Sequence, residues 1–289
     1  MLIGAHALVF TGTFDEAGLR TAIEGTTTAG FDLIEIPLMD PDGFDSQLAA
    51  RMLKDNNLAV TASLGLTAQT DLSSDDPTVV ARGESVLEKC LDHVATMGGD
   101  VLCGVIYSAM SKYAEPTTEA RIAGSAAAID RVAAKAADRG IRLSLEVVNR
   151  YESNLFNTGR GALAYLDRLQ SDTVSVHLDS YHMNIEESDL FSPILDAGAQ
   201  LGYVHIGESH RGYLGSGTVD FDELFRGLAR IDYDGPVVFE SFSSAVVNAD
   251  LSNTLAIWRN LWEDSGDLAA HANRFIRDRI HGVDSISMH

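Results

Sequence analysis

Apolar positions along the chain follow two alternating rhythms. The first is a set of short runs rich in β-branched and aliphatic residues: IGAHALVF (3–10), LIEIPL (33–38), AVTASLGL (59–66), VLCGVIYS (101–108), RLSLEVVNR (142–150), VSVHLDSYH (174–182), LGYVHIGES (201–209) and PVVFESFS (236–243). Runs of this length and composition read as strands. Between them, apolar residues recur every three or four positions, the period of a helix with one buried face. The clearest such stretches are 15–30, 81–99 and 119–140, the first and last closing on Gly30 and Gly140. A further helix is expected over 253–266, with Trp258 and Trp262 four apart on one face as core or as an interface. Strand and helix thus alternate eight times with no linker or low-complexity stretch. That pattern predicts an α/β fold, a closed (β/α)8 barrel, rather than an open doubly wound sheet. No glycine-rich dinucleotide fingerprint follows the first strand. The expectation is one barrel domain over residues 1–289, with an additional C-terminal helix over about 264–289 that packs on the barrel or on another subunit.

Barrels of this kind place their chemistry at the C-terminal mouths of the strands. Four consecutive strands carry a ligand-type residue there: Glu146 on the fifth, Asp179 on the sixth, His205 on the seventh and Glu240 on the eighth. Any one of them alone could be a solvated edge charge or an ion-pair partner. Together they lie side by side around half of the mouth. Three converging carboxylates repel and raise one another's pKa unless a cation neutralises them. The basic residues nearby, Arg150 and Arg211, both lie a few positions beyond the mouth. A bound divalent metal is the economical solution. Three carboxylates and one imidazole suit Mn²⁺, Co²⁺ or Mg²⁺ and leave coordination positions for substrate or water. A structural zinc site would use Cys and His and would be closed. Glu152, His182, His210 and Arg211 fall in loops above this centre. His182 alone would read as structural; beside a metal it becomes a donor to a substrate oxygen. The glycine-rich loop GYLGSGTVDF (212–221) could cradle a phosphate, or simply turn tightly into a helix near Asp220.

Composition narrows the partners. The formal net charge is −21 and the chain holds four lysines, which argues against a nucleic-acid groove. The same acidity is compatible with binding a hard cation. Apolar residues make up 45% of the chain, ample for a large core. Cys90 and Cys103 are expected to be buried, inert thiols, with no disulfide framework. The N-terminal MLIGAHALVF reads as a first strand rather than a signal peptide, and no run is long enough to span a bilayer. The expected setting is cytoplasmic, with no membrane partner.

The motifs EVVNRYE, HLDSYHMN, HIGESHRGYLGSGTVDF and FES, in strand order across the whole chain, resemble the sugar isomerase/epimerase TIM barrels. More narrowly they resemble the ketose 3-epimerases, the D-tagatose and D-psicose (D-allulose) 3-epimerase group. The resemblance implies that Glu146, Asp179, His205 and Glu240 bind one divalent metal ion per subunit, Mn²⁺ above all, with Co²⁺ or Mg²⁺ as alternatives. It implies that Glu146 and Glu240 are also the acid/base pair, and that Glu152, His182 and Arg211 hold the O1–O2 end of a free ketose. His6, on strand one, would help line the pocket for the far end of the sugar. His6, and the lack of a tryptophan in the Tyr107 to Tyr113 region, depart from many relatives. The implied reaction is epimerisation at carbon 3 through a cis-enediolate, with two carboxylates working from opposite faces. Family members assemble as homodimers or homotetramers. The alternatives are an aldose–ketose isomerase of the hydroxypyruvate or rhamnose type on the same site, and an inosose dehydratase-like lyase. An endonuclease IV-like DNA-repair barrel would need more histidines and a basic surface. A non-enzymatic binding barrel would leave open metal positions without a purpose.

Overall fold

Each of the eight apolar runs contains a strand: β1 (Ile3–His6), β2 (Leu33–Pro37), β3 (Ala59–Ser63), β4 (Val101–Gly104), β5 (Arg142–Val147), β6 (Val174–Asp179), β7 (Leu201–Ile206) and β8 (Val237–Phe239). They pair in parallel, each with its sequence neighbour, and β8 returns to β1 to close the barrel. This architecture is that of a computed structural model, which describes residues 1–247 and 249–287. The helices among these residues are α1 (Glu16–Thr28), α2 (Ser46–Asp55), α3 (Pro77–Met97), α4 (Glu119–Ala137), α5 (Gly159–Leu166), α6 (Ser180–Glu186), α7 (Ser192–Ala197), α8 (Phe221–Arg230), α9 (Ala249–Thr254) and α10 (Ser265–Ser287). None of them is long and apolar enough to cross a membrane.

Local chemistry sets the helix ends. The Asp15, Asp45, Asp76, Thr118, Thr158 and Asp220 side chains each accept a backbone N–H of the first turn of α1, α2, α3, α4, α5 and α8. Pro77 opens α3, and Gly98, in the left-handed region at φ 81°, ends it. Outward-facing strand residues pack under the helices in one large apolar cluster, while Leu33, Val101, Cys103, Tyr203 and Val238 form a smaller cluster of their own. Pairing matches Glu146 with His177 and Asp179 with His205, so strand alternation sends these side chains inward at the C-terminal end.

The C-terminal helix expected after Asp264 is present as α10. It packs against α8, α1 and β1, closing the ring of helices. Leu268, Ala269, Ala272 and Ile276 are fully buried there, and Asn273 donates to the Ala29 carbonyl at 2.8 Å. The helix expected over 253–266 does not form. α9 stops at Thr254, Ala256 adopts φ 54°, and the chain runs irregularly to Asp264. The two tryptophans therefore part company: Trp258 is 73% exposed and Trp262 is buried at 4%. The Trp262 indole N–H donates to Ser241 Oγ at 2.8 Å, and its carbonyl accepts from Ser243 Oγ at 3.2 Å. Tertiary hydrogen bonding to the end of β8 outcompetes the local helical periodicity. Cys90 and Cys103 are free and buried, as expected, and burial pushes the Cys90 thiol up to about 12.

Candidate active site

His205 organises the centre of the mouth. Its Nε2 lies 2.7 Å from Glu35 Oε2, a hydrogen bond that leaves Nδ1 as the ring nitrogen facing the mouth. Nδ1 is buried, has no hydrogen-bond partner, and points between three carboxylates. It lies 3.8 Å from Glu146, 3.7 Å from Asp179 and 3.6 Å from Glu240, too far for hydrogen bonds. One ligand atom from each of these four residues fits within 4.8 Å of the others, so the group could hold a metal ion. The four residues singled out at consecutive strand ends are thus brought together. An orphaned ring nitrogen beside hard oxygen donors is what a divalent cation would satisfy.

The charges explain the geometry. Arg211 reaches back into the centre, with Nη1 3.0 Å from Asp179 and 2.7 Å from Glu240. Arg150 does not; it pairs with Glu186 at the surface. Three carboxylates against one guanidinium leave two formal negative charges. Without a cation, protons compensate. Burial, together with Asp179 and Glu146, pushes Glu240 up to about 8 against the pull of Arg211 and His205. Burial opposes a charge on His205, yet Glu35 and Glu240 prevail and raise it well above its ordinary value. Burial also works against Glu146, but His177 and His205 hold it below the usual carboxylate range. Asp179 is held well below that range, where Arg211 and His182 overcome its burial.

Arg211 is fixed from several sides. Its guanidinium carbon sits 4.0 Å from the Tyr181 ring centroid and 5.2 Å from that of Phe242. Its φ of 60° is left-handed, a strain that non-glycine residues keep where surrounding bonds enforce it. Here the backbone N–H donates to the Glu208 carbonyl, and the carbonyl accepts from Ser241 Oγ at 2.5 Å. Since Ser241 also receives the Trp262 indole N–H, the irregular segment before α10 helps hold Arg211 in place.

The remaining expected residues surround this centre. His182 Nε2 lies 3.6 Å from Glu146, 3.9 Å from Asp179 and 4.0 Å from Glu152. Glu152, Tyr181 and Arg211 line one cavity of about 480 Å³. His6, Glu35, Glu146, His205 and Glu240 form the polar end of a second, of about 530 Å³, whose other walls include Leu64, Leu66, Met110, Leu251 and Leu255. His6 contacts Glu35 at 3.4 Å and Glu240 at 4.0 Å, so it stands beside the charged centre. Burial lowers the His6 pKa to about 4. His210 serves its own loop, accepting the Gly212 N–H at 3.1 Å. The glycine-rich loop is an anion cradle for the chain's own carboxylate: buried Glu208 accepts the N–H groups of Ser209, Gly215 and Val219. That occupancy disfavours a phosphate there.

Sequence reasoning missed Glu35, Asn149, His177 and Glu208. Glu35 is fully buried and accepts from both His205 and Tyr203 at 2.7 Å. Burial would raise it, but His205 and His6 hold it well below the usual range. Its signal was available: a carboxylate inside LIEIPL, as Glu146 is inside LSLEVV. His177 is fully buried with neither ring nitrogen hydrogen-bonded, packed edge-on against His205 at 4.2 Å. Burial first of all lowers it to about 4.

With this geometry in view, the likeness to known proteins is informative. Residues 24–278 match the xylose isomerase-like TIM barrel family. A ketose 3-epimerase of Arthrobacter globiformis is 60% identical over 289 residues, all of both chains. An L-ribulose 3-epimerase of a Methylomonas species is 53% identical over 276 residues, 96% of each chain. The crystal structure of a Methylomonas D-allulose 3-epimerase in complex with D-allulose superposes with a TM-score of 0.95 at 53% identity, covering 96% of this chain and 97% of that one. The chain belongs to the xylose isomerase-like TIM barrel family, within the group of isomerases named ketose 3-epimerases.

Proposed function

We propose that this chain inverts carbon 3 of free ketoses, with one divalent cation held by Glu146, Asp179, His205 and Glu240 and the proton moved by Glu146 and Glu240. The observation that carries the reading is the orphaned His205 Nδ1 aimed between three carboxylates. Mn²⁺ suits this donor set best, and Co²⁺ or Mg²⁺ also fit it. A bound cation would supply Lewis-acid stabilisation of the charge that develops on the substrate oxygens.

Glu146 and Glu240 belong to strands that are not neighbours, so a ketose above the centre is flanked by two carboxyl groups. One takes the carbon-3 proton, giving a cis-enediolate, and the other returns a proton to the opposite face. Which acts first depends on the epimer bound. Arg211 and His182 present N–H donors where charge builds on O2, and Glu152 accepts from a neighbouring hydroxyl. The apolar wall of Leu64, Leu66 and Met110 would face the far end of the sugar. Candidate pairs are D-fructose/D-psicose, D-tagatose/D-sorbose and L-ribulose/L-xylulose. We extend the reading to a cytoplasmic homodimer or homotetramer, which sedimentation would check.

The test is incubation of metal-stripped and Mn²⁺-loaded protein with D-fructose and with L-ribulose in D₂O, followed by NMR after removal of the metal. The expected result is the carbon-3 epimer, deuterated at carbon 3, in the loaded sample alone. An aldose product, or deuterium at carbon 1, would replace this reading with an aldose–ketose isomerase on the same residues.

A further inference from the structure

Asn149 lies just beyond β5, 1% exposed, and no role in the reaction described above depends on it directly. We infer that Asn149 is a positioning residue that keeps the ring proton of His182 on Nε2 and locks His182 and Glu152 into one sugar-facing unit. The inference rests on the ketose reading of the site.

Two backbone N–H groups, which can only donate, fix the assignment. The Asn149 backbone N–H points at His182 Nδ1 at 3.2 Å, so Nδ1 carries the lone pair. The Tyr151 backbone N–H donates to the Asn149 side chain at 2.9 Å, so that end of the amide is its oxygen. The amide nitrogen therefore faces the other way. It lies 2.8 Å from His182 Nδ1 and 2.9 Å from Glu152 Oε1. Both of its protons are used, and both donors converge on neighbours that contact the site.

The consequence is a matched pair of free groups. With Nδ1 accepting, the ring proton sits on Nε2. That nitrogen has no hydrogen bond within reach, its nearest carboxylates being 3.6 to 4.0 Å away. With Glu152 Oε1 held by the amide, Oε2 is the oxygen left to accept. Donor and acceptor stand 4.0 Å apart. That arrangement recognises an α-hydroxycarbonyl: the carbonyl oxygen takes the His182 proton and the adjacent hydroxyl donates to Glu152. The other tautomer would present a lone pair to the carbonyl and repel it. Asn149, through its backbone N–H and its amide together, thus keeps the ring proton on the nitrogen that faces the sugar.

The test reads the tautomer directly. Protein labelled with ¹⁵N-histidine is studied by long-range ¹H–¹⁵N NMR, metal-free and again with diamagnetic Mg²⁺, as wild type and as Asn149→Asp. The His182 resonances are identified by their loss in His182→Gln. Wild type should show Nδ1 unprotonated and Nε2 protonated. Asn149→Asp keeps the backbone N–H 3.2 Å from Nδ1 but sets a carboxylate oxygen in the amide's place, 2.8 Å away, where the charged acceptor should outweigh that donor. It should move the proton to Nδ1 and lower kcat/KM for the ketose at least tenfold, with Mn²⁺ affinity within twofold of wild type. A purely structural role would not move the tautomer. Wild-type protein with Nδ1 protonated overturns the inference without any variant having to fold. So does Asn149→Asp with an unmoved tautomer. If the tautomer behaves as stated and wild type turns over no ketose, the positioning stands and the ketose reading falls.

Discussion

Replacing Glu35 with glutamine should weaken divalent-cation binding about tenfold while the barrel stays folded, because the loss is one of charge and not of shape. Glu35 Oε2 accepts from His205 Nε2 and from Tyr203 Oη, each at 2.7 Å. A glutamine carbonyl oxygen in that place can still accept both. A hydrogen bond to a charged group contributes about 1.5–3 kcal/mol and a neutral one about 0.5–1.5 kcal/mol. The difference is on the order of 1–1.5 kcal/mol, or roughly a tenfold change in affinity. Partners of metal-bound histidines commonly matter by about 10–100-fold, which brackets the figure. A second effect acts in the same direction. The new NH₂ would occupy the place of Oε1, 3.4 Å from His6 Nε2. His6 Nδ1 accepts the Leu8 N–H, so Nε2 carries the proton and two donors would face each other. The assay is calorimetric titration of Mn²⁺ into stripped wild-type and Glu35→Gln protein, with circular dichroism to verify folding. A folded variant whose Kd stays within twofold of wild type would refute the idea that Glu35 tunes His205 as a ligand.

Further outcomes follow from the same geometry. Glu146→Gln and Glu240→Gln should each cut turnover by about 10²–10⁴, the usual scale of a lost acid or base, in a progress-curve assay; near-normal activity in either removes the two-carboxylate scheme. Cation binding should release protons, since Glu240 lies near 8 and His205 is raised in the cation-free chain. Affinity should therefore fall as pH is lowered through 8, by about one decade per unit for each proton displaced, in titrations repeated in buffers of different ionisation enthalpy. The same raised groups bind protons more tightly folded than unfolded. Their stability contribution is thus lost as pH rises through their folded values, and stripped protein should melt lower at pH 9 than at pH 7. His6 and His177, both lowered to about 4, act oppositely and only below about 6.5, outside that window. Gly104→Ala should destabilise the fold by about 1–3 kcal/mol in urea titrations, the scale of one strained backbone position. Gly104 has φ 110°, and a Cβ there would lie 2.4 Å from the Leu64 carbonyl oxygen.

The strands were legible because their signal is local. Each run carries its own apolar composition, and eight such runs alternating with helical periods leave few ways to bury them all. Glu146, Asp179, His205 and Glu240 could be read from the chain for a related reason. A closed parallel barrel puts every strand's C-terminal end at one mouth, so a position late in a strand already implies a place in the site. Glu35 was open to a similar reading, since it too is a carboxylate inside an apolar strand run. Other features depended on ring closure and loop paths. Nothing in the sequence says that Arg211, six residues past His205, turns left-handed and reaches back to Asp179 and Glu240 while Arg150 turns outward to Glu186. Nor does it say that the glycine-rich loop closes on Glu208. The segment from Trp258 to Trp262 shows the principle most plainly. Its four-residue spacing suits a helix, but Ser241 and Ser243 at the end of β8 offer the Trp262 backbone and indole partners that a local helix does not. Periodicity and strand order are set by near neighbours in sequence, and the chain alone determined them. Hydrogen-bond partners and charge pairs across the barrel mouth are set by neighbours in space, and only the closed barrel decided those.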